Sequence, residues 1–561
     1  MERRKSRSRC GGWCVGLWSA VFCGGWLWSV VFCGAWGAEA KKGGEAKGDP
    51  APYQIGALRP PERLRQGFGA AKYGLFVSID GVSAEDLELY AREVPVLRGL
   101  MRGGVRCSME TVFPSVTWAS HASMTTGQYP SHHGLLGNRW LEGFFDLIYP
   151  YQENITELDR LKRTPSVYDL AHEKGWPTAA LNWPGTQKAQ TLTYNVPAIM
   201  YNAGLWYGYT SLTVQQLLKK MYRESMRGDE VRSQKHMETL FGRVMDGERI
   251  EADILMTELT ERLLRGEGQV GRVRGKASIP RLMYLHYVLP DVLNHKYGRN
   301  GWTARWALQV NDQLLGRVLE AYRKAGILRQ TAIFVGSDHG FLNVHHAVDP
   351  RLLLIKAKYS RYRNLSRRER RRERVMVFEN GHAAYVYIHP SYRERYQSGV
   401  IKAFKHPSYA QCIEAVYTPD AFSRMGLPKP LIEGVDREDP YAWHRGAPDL
   451  VVLTKPDCYF RRGHRRKVLM KVSGKPMAYF FGSHGYLPNH PKMLAMWVAS
   501  GAGISRKGKH LGRCRVVDMA PTMAHLLGLR WPREWLVGDK KKPFLMAGRV
   551  MRKMLRSNKP K

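Results

Sequence analysis

The sequence predicts an α/β fold, a doubly wound and mostly parallel sheet sandwiched by helices, with insertions. Three observations predict it. Short apolar runs end on an acidic residue, as in YGLFVSIDG, LMYLHYVLPD and TAIFVGSDHG, and the carboxyl ends of buried strands are where open α/β sheets collect their sites. Between them lie stretches with apolar residues at three- and four-residue spacing, such as SVYDLAHEKG and WALQVNDQLLGRVLEAYRKAG, which is helical periodicity. Finally, 561 residues with 44% hydrophobic and 24% charged content can bury a large core, a composition that excludes a disordered chain.

Taken in order, residues 1–40 form a leader. Met1 to Arg9 carries five Lys/Arg, and Cys10 to Ala38 carries no charge. A basic start, an apolar run and small residues at Ala35, Gly37, Ala38 and Ala40 match a secretory signal peptide. The run is also long enough to span a bilayer, so an uncleaved anchor with its basic end in the cytoplasm is the alternative. Either reading puts the body outside the cytoplasm, periplasmic, secreted or membrane-anchored. Residues 41–70, rich in Gly, Ala, Lys and Pro, read as a linker. Residues 71–540 read as one catalytic domain, and 541–561 as a basic, frayed tail.

Two regions interrupt the domain. Residues 211–275 read as charged amphipathic helices that continue the fold or cover the site. Residues 359–374, YSRYRNLSRRERRRER, form the core of an Arg-rich insertion at about 355–375. Charge runs are usually exposed faces, so a solvated helix is favoured over a nucleic-acid contact, and no nucleic-acid-binding motif surrounds it. Over the whole chain, 87 Lys+Arg against 49 Asp+Glu give a net charge of +38. A field of that sign concentrates anions, so nucleic acid, anionic lipid and phosphorylated substrates are all compatible partners. Four cysteines remain outside the leader, Cys107, Cys412, Cys458 and Cys514. They allow three pairings, and the absence of a CxxC pair argues against a thiolate zinc site.

The chemistry resides in four short motifs. Asp80 ends FVSIDG, Asp291 and His295 lie in PDVLNHKYG, Asp338 and His339 in VGSDHG, and His484 in GSHGY. Thr117, in FPSVTWASHASMTTGQYP, is the candidate nucleophile. Each has a structural reading by itself: a strand-end Asp caps helices, a lone His sits in a core, and Thr117 could cap the helix starting at WASHASM. As a set they differ, because three carboxylates and three imidazoles are enough to hold two divalent ions. Asp291 and His295, four apart, can reach one ion from one helical turn, and the adjacent Asp338 and His339 can face a second. Imidazole-rich ligation favours zinc over magnesium.

In this order the motifs resemble the alkaline phosphatase superfamily, most closely its nucleotide pyrophosphatase/phosphodiesterase family. LNWPG at 181–185 and VVDMAPTMAHLLGL at 516–529 add to the likeness, which covers roughly residues 71–530. The resemblance implies an alkaline phosphatase-like fold that cleaves phosphodiester or pyrophosphate bonds of small, anionic, nucleotide-type substrates through a phosphothreonine. It implies one zinc on Asp291, His295 and His484 and another on Asp80, Asp338 and His339, with Thr117 bridging toward the second. Trp118 would offer its backbone N–H to phosphoryl oxygens, and its ring would either stack on a nucleobase or aryl leaving group or pack in the core. Ser120 stands where relatives carry the Asn of TFPNH, and Asn138 in LLGNRW would face the site. His121, His132 and His133 read as structural or surface residues. Two alternatives stay open: a phosphonate or phosphomonoester hydrolase of the same superfamily, and a basic membrane-anchored binding protein without catalysis. A sulfatase is disfavoured, since no CxPSR motif is present.

Overall fold

The buried apolar runs assemble into an eight-stranded sheet in the computed structural model, which describes residues 53–142, 146–148, 164–199, 203–225, 250–270, 273–362, 366–430, 443–444, 446–461, 467–472, 480–505, 507–537 and 540–556. The strands are β1 (Tyr73–Ile79), β2 (Val105–Glu110), β3 (Thr178–Trp183), β4 (Tyr194–Pro197), β5 (Leu282–Tyr287), β6 (Thr331–Gly336), β7 (Ala495–Gly501) and β8 (Lys509–Arg515). Their order is β8-β2-β7-β6-β1-β5-β3-β4. Only β7 pairs antiparallel with its neighbours. Strands β3, β5 and β6 are buried along their whole length, as a parallel sheet covered on both faces requires.

Five helices matter for the site: α1 (Thr117–Thr126), α2 (Ile250–Leu264), α3 (Leu289–Tyr297), α4 (Trp302–Lys324) and α5 (Met519–Leu526). Alternate residues of a strand point to opposite faces, and the core divides accordingly. Phe76, Trp183, Tyr284, Phe334 and Trp497 pack with Ala119 and Met124 of α1 and Met519 and Met523 of α5. On the other face, Leu75, Val77, Leu285 and Val335 meet Leu259 and Leu263 of α2 and Leu308 and Leu315 of α4. Residues 212–225 and 250–264 are helical, so the described part of the 211–275 region continues the fold rather than forming a lid. Asp253 of α2 is fully buried and accepts the N–H groups of Val288 and Leu289 at 2.9 and 3.2 Å, fixing the start of α3.

A second sheet was not evident in the sequence. Four antiparallel strands run Val375–Asn380, Ala383–Ile388, Leu450–Thr454 and Ile413–Tyr417 in spatial order. Its first hairpin turns at Gly381 against the GSHGY loop, where His382 N–H donates to the His484 carbonyl at 2.9 Å. The approach is too close for side chains. A Cβ on Gly381 (φ +69°) would come within 1.9 Å of the His484 oxygen, and one on Gly485 (φ +91°) within 2.1 Å of the Asn380 oxygen.

Three expectations need correction. The segment read as a linker is ordered from Tyr53 onward: Tyr53 is buried and donates to the Thr111 carbonyl, and Arg59 pairs with Met546. The segment read as a frayed tail is folded through residue 556, because Met546, Ala547, Val550, Met554 and Leu555 enter the core beside α5. The Arg-rich block, read as a solvated helix, is exposed at Arg361, Ser366, Arg368, Arg371 and Arg372, but its described residues hold only one helical turn, Arg367–Arg370. Glu373 is buried in the block and accepts the N–H groups of Arg361 and Tyr362, with Arg351 at 3.6 Å. The leader lies outside the described residues, and among those described no helix is long and apolar enough to cross a membrane.

The cysteines pair as Cys107–Cys514 and Cys412–Cys458. The first joins β2 to the edge strand β8 across a sequence separation of 407. Cys107→Ser with Cys514→Ser is therefore expected to lower stability by about 2–5 kcal/mol, read as a shifted denaturant midpoint; an unmoved midpoint would contradict the bond.

Candidate metal and nucleophile site

Strand ends bring the motif residues together. Asp80 follows β1, Asp338 and His339 follow β6, which is hydrogen-bonded to β1, and α3 after β5 carries Asp291 and His295. His484 comes from the loop before β7, stapled by the Gly381 turn. The result is two adjoining groups, Asp80 with Asp338 and His339, and Asp291 with His295 and His484; the ligand atoms of each lie within 4.8 Å of one another. The groups meet where the His339 and His484 rings stack, centroids 3.7 Å apart.

The imidazoles share one hydrogen-bonding scheme. Nδ1 of His295, His339 and His484 lies 3.0, 3.1 and 3.1 Å from the backbone carbonyls of Gly482, Gly340 and Ser115. A carbonyl only accepts, so Nδ1 carries the proton and the Nε2 lone pair points inward. His339 Nε2 lies 3.3 Å from Asp338 Oδ2 and 3.4 Å from Asp80 Oδ1. His295 and His484 Nε2 lie 3.5 and 3.6 Å from Asp291 Oδ1. Burial pushes the His484 imidazole far below its usual range, and His339 and His295 add to the shift. Burial opposes ionisation of Asp338, but His339, His121 and His286 outweigh it and hold the carboxyl below the usual range. Lone pairs therefore face carboxylates at distances close to the roughly 3.3–3.5 Å edges of a tetrahedron of N and O ligands around one cation. Both groups fit a divalent ion. A third cluster, His346 with Cys412 and Cys458, offers no thiolate, because its cysteines form a disulfide.

Thr117 is the first residue of α1, and the N-cap is Val116, with no side-chain cap bond. The threonine hydroxyl is thus not spent as a cap. Its Oγ1 lies 3.5 Å from His339 Nε2, at the end of the helix where the dipole favours an anion.

The other predicted positions divide. Asn138 reaches the helix of Thr117, its Oδ1 accepting the Trp118 N–H at 3.2 Å, so the donor expected to face phosphoryl oxygens is here paired with a side chain. The Trp118 ring is fully buried with Leu135, Leu136, Phe378 and Tyr385, so of its two readings the ring packs in the core. Ser120 is fully buried one turn along α1, and its Oγ bonds to no described residue. His121, His132 and His133 are all buried, so none is a surface residue. His121 Nδ1 donates to the Thr117 carbonyl at 2.8 Å, with Asp338 Oδ2 at 3.7 Å.

Two supporting residues escaped sequence reasoning. His286 of β5 places Nε2 3.0 Å from Asp80 Oδ2 and Nδ1 2.9 Å from the carbonyl of Asn182, which sits at φ +56°. The signal was a histidine inside the buried strand LMYLHY. Asn380 of the second sheet accepts the N–H groups of Asn138 and Arg139 at 2.7 and 2.9 Å and so holds the loop that touches α1.

A family profile described as type I phosphodiesterase / nucleotide pyrophosphatase matches residues 75–487. Human ectonucleotide pyrophosphatase/phosphodiesterase family member 1 is 24% identical over 241 residues, 43% of this chain and 25% of its own length. The chain thus spans about a quarter of that curated relative. Among solved structures, murine ectonucleotide pyrophosphatase/phosphodiesterase 5 aligns with a TM-score of 0.54 and 15% identity, covering 82% of this chain and 95% of its own. An inactive threonine-to-alanine variant of the same murine protein, in complex with AMP, aligns at 14% identity and TM-score 0.54, with coverage of 82% and 96%. At such identities the likeness shows the fold, an α/β sandwich around a large, mostly parallel sheet.

Metal content tests the grouping. Protein dialysed against a divalent cation is expected to retain about two equivalents and Asp291→Ala about one; retention of both by the variant would dissolve the assignment.

Proposed function

The chain belongs to the type I phosphodiesterase / nucleotide pyrophosphatase family, and from that premise we propose that it is a metal-dependent hydrolase of phosphodiester or pyrophosphate bonds in nucleotide-type substrates, acting through a phosphothreonine at Thr117. The observation that carries the reading is a single one: the Thr117 hydroxyl, unused as a helix cap, beside two adjoining carboxylate–imidazole groups. The murine neighbour in complex with AMP supports a nucleotide-type substrate.

Thr117 Oγ1 would attack phosphorus in line with the departing oxygen. The bond to the leaving group breaks, the hydroxyl proton goes to solvent or to that oxygen, and the phosphoryl group is left esterified to Thr117. Water then cleaves the ester and restores the hydroxyl. The amino end of α1 would face the transferred group with its dipole, and Asn138, whose Oδ1 takes the Trp118 N–H, brings a side-chain amide to the same end. Divalent ions, two Zn2+ given the imidazole-rich ligand sets, would supply the Lewis acidity that activates the hydroxyl and stabilises the leaving oxygen. His286 and the carbonyls of Gly340, Gly482 and Ser115 would keep Asp80 and the three imidazoles in register. Two disulfides support an exported body, since such bonds persist in oxidising compartments.

The nitrophenyl ester of a nucleotide is expected to be hydrolysed faster than nitrophenyl phosphate, with activity lost to a chelator and restored by zinc. The reverse preference would favour the monoesterase reading, and no turnover of either would favour a binding protein. Thr117→Ala should lower kcat by about a thousandfold or more, roughly 4 kcal/mol of barrier, while cation content stays unchanged. Undiminished turnover in that variant would remove Thr117 from the reaction.

A further inference from the structure

Residues from 60–68, 521–533 and 543–550 line a cleft of about 780 Å³, within the size range of small-molecule sites. Arg63, Arg65, Arg530, Arg533 and Arg549 line it, with Glu62 the one acidic side chain in the wall. Among the described residues none of the five guanidinium groups makes an ion pair, while Glu62 lies 3.7 Å from Arg552. Gathering like charges around a cavity costs electrostatic energy that an anion relieves. The wall is also aromatic. Trp531 and Phe544 stack with centroids 5.8 Å apart and planes 11° from parallel, and Arg530 lies over the Phe68 ring at 5.2 Å.

We propose that this cleft is a second anion site, separate from the Thr117 site, that takes a phosphoryl group. Guanidinium groups match phosphate in bidentate fashion, and the aromatic wall accepts the apolar or planar part of the molecule. The phosphoryl group can belong to a free organic phosphate or to a lipid headgroup. The cleft stands at the far end of the nucleophile's helix: Gln128, just past α1, donates to the Leu545 carbonyl and accepts the Ala547 N–H. Ten helical residues put about 15 Å between that end and Thr117, so occupancy of the two sites can be read independently. The proposal does not rest on the catalytic reading.

The test uses the full chain in chelator, with pyrophosphate in equilibrium dialysis as one probe and co-sedimentation with phosphatidylcholine vesicles, with and without phosphatidylserine, as the other. Wild type is expected to retain at least one probe. Arg63→Glu/Arg530→Glu/Arg533→Glu should weaken that retention about tenfold or more. Arg92→Glu/Arg102→Glu/Lys219→Glu, the same charge change on residues exposed elsewhere, should leave it within about twofold. Loss confined to pyrophosphate assigns a free phosphate, and loss confined to the anionic vesicles assigns a headgroup. Equal weakening by both triple variants, or no retention of either probe by wild type, overturns the site. Should the cleft variant fail to fold, Arg530→Gln/Arg533→Gln replaces it: retention is expected to fall several-fold, and unchanged retention overturns the proposal.

Discussion

Six acceptor atoms crowded together at one edge of the sheet set the terms for the rest of this molecule. Three Nε2 lone pairs and the oxygens of three carboxylates approach to 3.3–3.6 Å, an arrangement that repels itself unless positive charge enters. Holding it requires supports that cannot swing away. The structure supplies them from backbone carbonyls at Gly340, Gly482 and Ser115, each fixing a ring through Nδ1. A parallel sheet is well suited to the task, because neighbouring strands end side by side and deliver their terminal residues to one edge.

The support extends beyond the sheet. Asp253, from a helix far from any motif, satisfies the first N–H groups near the start of α3 and so sets the pitch at which Asp291 and His295 face inward. The smaller antiparallel sheet grips the opposite side, with the Gly381 turn seated on the His484 carbonyl and Asn380 holding the loop of Asn138. What looks like an insertion in the chain is a clamp on the loop that supplies the last imidazole. Arg299 is a further brace: buried, it binds Asp86 and Ser83 and ties the end of α3 to the helix after β1.

How much of this could be read from the chain depends on whether a residue's role is local. Asp80, Asp338 and His339 each close a continuous apolar run, so strand and ligand share one short string, and the α/β sheet was legible from those strings. His286 was not, because its partners Asp80 and Asn182 lie about 206 and 104 positions away and nothing beside it marks it out. Asn380 had no motif at all. The strips at 53–70 and 541–556 were misread for a different reason. Their Lys, Arg, Gly and Pro dominate the composition, yet a few apolar side chains, Tyr53, Met546, Val550 and Met554 among them, suffice to anchor them. Composition averages over a segment, whereas packing is decided by the few residues that reach the core. Trp118 was open to two readings, platform or core, because a sequence does not say which way a side chain on the first turn of a helix points; packing settles it in the core.

The edge strand β8 lies beside β2, and the α5 helix that follows it lies beneath the nucleophile's helix. A ribosome-bound chain ending before residue 509 would lack both, leaving one flank of β2 bare and the underside of the threonine's helix without its lining. Contacts spanning some four hundred positions are slow to form, so the lining of that helix is completed only once residues 509–526 have joined the sheet and the core beside it.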